Sequence, residues 1–85
     1  MLLLIIQQMA FTQKPSLNKQ SAKLFISAIE DRDMSELKIL LGQFQLSKSL
    51  RRDIGWYLNA GPNDIDNASG KERKSILISK LKADN

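Results

Sequence analysis

Lys48, Arg52 and Trp56 fall at i, i+4 and i+8, so on a helix they share one face. That spacing sets two cations beside the only Trp of the chain. A cation is attracted to the face of an aromatic ring, and Trp and Arg dominate the residues that carry binding energy in protein interfaces. The same trio can also stack on a base or touch a phosphate. Lys48, Arg52 and Trp56 are therefore the candidate partner-binding residues. The competing reading is structural, with Trp56 covering a neighbouring helix and Arg52 stacked upon it.

A second basic group lies further on. Lys71, Arg73, Lys74, Lys80 and Lys82 are candidate contacts for phosphate or for an acidic protein surface. On a helix these charges scatter around the axis, as on a solvated face. Lys80 and Lys82 also suit the negative end of a helix dipole without any partner.

Other chemistries find little to work with. The chain has no Cys and no His, which removes disulfides, thiolate nucleophiles, imidazole bases and the usual zinc ligands. The stretch Asn63-Asp64-Ile65-Asp66-Asn67 resembles a calcium loop only at its start. Counted from Asp64, the fifth position is Ala68, the sixth is Ser69 where Gly is needed, and the twelfth is Ser75 in place of Glu. Gly70-Lys71 fails as the end of a phosphate loop, because Glu72 replaces Ser or Thr and Ile65 stands where the earlier Gly belongs. Ser47, Lys48, Ser75 and Lys80 sit in ordinary helical settings with no oxyanion loop nearby. No catalytic residue, metal ligand or cofactor site is assigned, and the chain is not read as an enzyme.

The elements that must position the candidate residues read as helices. Ser16 or Asn18 can cap a first helix running to about Glu30, with Ala22, Phe25, Ile26 and Ile29 at helical spacing and Leu24 and Ala28 as a second apolar strip. Lys23, Ser27 and Glu30 form its narrow polar stripe, which places it centrally. Asp33 and Glu36 match a capping box opening a second helix over 34–44, whose Met34, Leu37, Leu41 and Phe44 share a face with Leu40 beside them. Ser47 caps a third helix, with Leu50, Ile54, Tyr57 and Leu58 directed inward. Gly61 and Pro62 stop it, the Gly suited to a left-handed residue just past the end. Residues 61–70 read as a polar loop, and Ser69 with Glu72 as the cap of a basic C-terminal helix over 71–85 using Ile76, Leu77, Ile78 and Leu81. Ser75-Ile76-Leu77-Ile78-Ser79 also fits a short buried strand, for which no strand partner exists elsewhere.

The expected architecture is an all-α single domain. Residues 1–15 form an apolar N-terminal arm, 16–60 a three-helix core, 61–70 the loop and 71–85 the C-terminal helix. Ala28-Ile29-Glu30-Asp31-Arg32-Asp33-Met34-Ser35-Glu36-Leu37-Lys38-Ile39-Leu40-Leu41 resembles the helix-turn-helix middle of an ankyrin repeat, over 14 of the 85 residues. Arg32 stands where that pattern has Gly, the Thr-Pro-Leu-His start is absent and no second repeat follows. Since repeat arrays need about three units to bury a continuous core, the resemblance implies a helical hairpin and no array. A DNA-reading helix-turn-helix fits poorly. With Gly42 at the turn, Lys38 and Lys48 occupy positions that must be buried.

Composition sets the outer limits. Eighty-five residues with 42% hydrophobic and 26% charged side chains make one modest globular domain. The net charge is +4, with eight basic and five acidic residues in 44–85 against five and four in 1–43. Met1-Leu2-Leu3-Leu4-Ile5-Ile6 is too short for a membrane span and lacks the flanks of a secretory signal. Three readings stay open there: an apolar arm on the domain or on a second subunit, a true start at Met9, and a weak membrane contact. The expected function is a non-catalytic protein interaction module, a small cytoplasmic regulator or inhibitor that docks on a larger protein and can pair as a homodimer. The alternative is a nucleic-acid-binding protein using its basic C-terminal half.

Overall fold

The side chain of Asn18 accepts the Ser21 N–H at 2.8 Å while Ser21 Oγ accepts the Asn18 N–H at 2.8 Å, a reciprocal cap that starts the first helix. The computed structural model describes residues 14–83. Helix α1 spans Lys19–Glu30, α2 Met34–Gln43, α3 Lys48–Asn59, α4 Pro62–Asp66 and α5 Ala68–Ala83. The fold is all-α among the described residues, and the apolar N-terminal run lies outside them. Ahead of α1, the chain runs beside the α2–α3 connection, where the Gln45 N–H donates to Pro15 O at 2.9 Å.

Asp33 and Ser47 cap α2 and α3 by accepting the Glu36 and Leu50 N–H groups at 3.1 and 3.2 Å. Between α1 and α2 the Asp33 N–H returns to Ala28 O and the Arg32 N–H to Ile29 O. This double return is a Schellman ending, and it requires a left-handed residue. Arg32 supplies it with φ 56°, at the position where the ankyrin-like pattern carries Gly.

Helix α1 packs on α2 and α5, α3 packs on α2 and α5, and α4 packs on α5. The core comprises Phe25, Ala28 and Ile29 of α1, Leu37 and Leu40 of α2, Leu50, Ile54 and Tyr57 of α3, Ile65 of α4, and Leu77 and Leu81 of α5, with Leu46 from the α2–α3 connection. These positions recur at helical spacing on each segment, so burial of one stripe per helix drives the assembly. Tyr57 is fully buried and its hydroxyl donates to Ile29 O at 2.6 Å. The α3 core stripe is thereby tied to the last turn of α1. Removal from water pushes the Tyr57 phenol up from its usual value, the nearby Arg32 guanidinium opposes that shift, and Asp66 adds to it.

The structure departs from the sequence reading in several places. Helix α2 ends at Gln43, with Phe44 in extended backbone, and the Asp33 cap is one-sided, because the Asp33 N–H goes to Ala28 O. The 61–70 stretch is not a loop throughout. Pro62 opens the short helix α4, which drives Ile65 into the core, and α5 begins at Ala68 rather than at 71. The cap of α5 is Asn67 and not Ser69, with the Gly70 N–H donating to Asn67 Oδ1 at 2.7 Å. Gly61 is not left-handed, since its φ is −77°, and α3 ends instead in extended backbone at Ala60. Leu24 and Ile76, expected on apolar strips, are 51% and 49% exposed because they fall on the outward sides of α1 and α5. Ser75–Ser79 is helical, with Leu77 facing the core.

Gly70 explains how α4 fits. A Cβ there would lie 1.8 Å from Asp64 O and 2.7 Å from Ile65 O, so the backbones of α4 and α5 touch at the one position with no side chain.

Candidate functional site

The capped start at Ser47 fixes the rotation of α3, and the buried stripe Leu50, Ile54 and Tyr57 then turns Lys48 and Arg52 outward. Both are exposed. Trp56 lies one step round the helix toward α5 and is half-buried against the core. Its ring meets Tyr57 edge-on, with centroids 6.1 Å apart.

The cation on the Trp56 face is Arg73. Its guanidinium carbon lies 4.5 Å from the ring centroid, reaching across from α5. Trp56 and Arg73 border a surface pocket of about 380 Å³ whose rim also includes Asp64, Asn67 and Gly70. Two of the polar side chains around it, Asn67 and Asn59, serve helix ends. Asn67 Oδ1 holds the Gly70 N–H, and Asn59 Nδ2 donates to Gly55 O at 2.8 Å. What remains is an aromatic ring beside a planar cation in an open depression, with the Asp64 carboxylate and the Ser69 hydroxyl on its rim. That arrangement can grip a side chain or a flat group.

The remaining basic residues divide into two flanks of α5. Lys80 turns to α3, where its Nζ donates to Asp53 Oδ2 at 2.8 Å and Ser49 Oγ at 3.0 Å. Arg73 is on the same flank. Lys71, Lys74 and Lys82 lie on the opposite side, along a depression of about 470 Å³ that also includes Ser75, Ile78 and Ser79. Among the described residues no carboxylate forms an ion pair with these three lysines. Lys82 also borders a smaller depression of about 170 Å³ shared with Lys19, Ala22, Lys23 and Ile26 of α1. Lys19 and Lys23 were not among the sequence candidates, and only the packing of α1 on α5 brings them to Lys82.

The acidic residues of 63–67 go separate ways. Asp66 pairs with Arg32 and so ties α4 to the α1–α2 turn. This contact raises the Arg32 guanidinium above its usual value, through the hydrogen bond first and the charge second. Asp64 faces the Trp56 pocket.

No described helix is long and apolar enough to cross a membrane. Comparison with protein-family models, with curated proteins and with solved structures yields no match to this chain.

Proposed function

We propose that this chain is a non-catalytic interaction module that docks on a larger protein through the outer face of α3, acting as a small regulator or inhibitor. The observation that carries the reading is Trp56: half-buried, held by Arg73 at 4.5 Å and set at the mouth of a pocket of about 380 Å³. Pinning the ring before binding reduces the entropy lost when a partner closes over it. Lys48 and Arg52 stand exposed along the same helix, so the complementary surface is acidic, with an apolar side chain to enter the pocket. With no His or Cys, and with the pocket amides engaged at helix ends, the site has the makings of an anchor and not of a reaction centre.

Two further parts belong to the same proposal. A second copy joined through the apolar N-terminal arm would make the unit a homodimer, which light scattering across a concentration series measures. A chain without cysteine needs no oxidising compartment, and we place it in the cytoplasm.

Of the five candidate cations of α5, the nucleic-acid reading loses Lys80 to its ion pair with Asp53. The experiment is capture of partners from the native extract by the tagged chain and by Trp56→Ala, identified by mass spectrometry. A protein retained by the parent and lost with the variant supports the reading. Retention of nucleic acid alone, falling steeply with salt, replaces it.

A further inference from the structure

The second basic surface lies on the far flank of α5 from Trp56. Counted around the helix, Lys71, Lys74, Ile78 and Lys82 fall on one side, while Arg73 and Lys80 fall on the other, against α3. Lys71 and Lys82 are eleven residues apart, or about 16 Å along the axis. Lys19 and Lys23 extend the patch onto α1, because the end of α5 packs beside the start of α1 and Lys82 borders both depressions. Five lysines thus border two depressions that meet at Lys82, one with the part-exposed Ile78 and the Ser75 and Ser79 hydroxyls, the other with the part-exposed Ile26.

The aliphatic residues decide between anionic partners. Neither depression contains an aromatic ring or a guanidinium. There is accordingly no platform for a base, and the lysines would meet a phosphate only as point charges. A hydrated sugar-phosphate backbone would leave the aliphatic residues without a complement. An amphipathic helix carrying carboxylates matches both parts, apolar residues at i, i+3 or i+4 and i+7 meeting the aliphatic residues and acids on either side meeting the lysines. Glu30 gives the patch a direction. It lies on the same edge of α1 as Lys19 and Lys23, two turns beyond Lys23, so that end is less positive.

From this geometry we infer that the α1–α5 face is a docking groove for an acidic amphipathic helix of a protein partner, separate from the Trp56 site. Charge brings the helix in and sets its register, and the contact with Ile26 and Ile78 distinguishes it from other polyanions.

The test uses the full chain and a fluorescein-labelled synthetic peptide of about five turns, with Leu at helical spacing and Glu on both flanks, read by anisotropy. The peptide should bind, and a scrambled peptide of the same composition should bind about tenfold more weakly or worse, since it keeps the charge and loses the apolar stripe. Lys74→Glu with Lys82→Glu, and independently Lys19→Glu with Lys23→Glu, should each weaken binding by about tenfold or more while circular dichroism stays unchanged. Lys48→Glu with Arg52→Glu should leave it within about twofold, which separates this groove from the α3 face. Equal affinity for the scrambled peptide overturns the inference. So does tighter binding, in the same buffer, of duplex DNA or of vesicles containing phosphatidylserine.

Discussion

The guanidinium carbon of Arg73 sits 4.5 Å from the centroid of the Trp56 ring, joining the middle of α5 to the last turns of α3. The two residues are 17 positions apart in the chain, beyond the reach of any local spacing rule.

A double-mutant cycle on Arg73→Ala and Trp56→Ala should show a coupling of about 0.5–1 kcal/mol, the range of a half-exposed cation–π pair. Trp56→Ala alone should lower unfolding free energy by about 1–2 kcal/mol, below the 3–5 kcal/mol of a fully buried aromatic, and leave a cooperative transition. Urea denaturation followed by circular dichroism measures both. A loss at or above the fully buried range would assign Trp56 to the core and remove it from the contact face.

Gly70→Ala should cost about 3 kcal/mol or more, because the new Cβ meets the carbonyl oxygens of Asp64 and Ile65, which are backbone atoms with little freedom to yield. Gly55→Ala is the contrast: nothing lies within 4 Å of a Cβ there, so helix propensity acts alone and stability should rise by about 0.5–1 kcal/mol. Thermal unfolding midpoints moving in opposite directions are the expected result.

Burial raises the Tyr57 phenol above the usual tyrosine value of about 10, so the unfolded chain releases this proton at a lower pH than the folded one. The contribution is complete below that value and is lost as pH rises through the folded-state value. Tyr57→Phe should flatten the alkaline fall in unfolding free energy. At neutral pH it should cost about 0.5–1.5 kcal/mol through the lost bond to Ile29 O.

Arg32 combines a left-handed backbone with an exposed ion pair to Asp66. Arg32→Gly relieves the first and gives up the second, whereas Arg32→Ala keeps the backbone cost and still loses the pair. The Gly variant should melt above the Ala variant at every salt concentration. Its deficit or gain relative to the parent should become more favourable as salt screens the pair.

Much of the fold was legible because the signals were local. Asn18, Asp33 and Ser47 cap helices whose buried stripes repeat every three or four residues, and both features act within a single turn or two. Helix α4 was not legible in the same way. Its residues favour turns, and five of them make too short a helix to persist alone, so it depends on Ile65 entering the core and on Gly70 letting two backbones meet. Pro62 at its first position is the available signal, and in the sequence the same residue equally marks the stop of α3.

The candidate site divides along the same line. By itself the sequence determined the helical class, the inward stripes and the outward course of Lys48 and Arg52, since helix periodicity alone sets which side chains share a face, whereas Trp56, expected on that same outer stripe, is half-buried against the core. Tertiary structure decided the partners. It set Arg73 on Trp56 where spacing had offered Arg52, committed Lys80 to Asp53, and gathered Lys19 and Lys23 with Lys82. Those choices depend on how α1, α3 and α5 pack, and packing angles follow from the fit of whole faces, which no single spacing in the chain records.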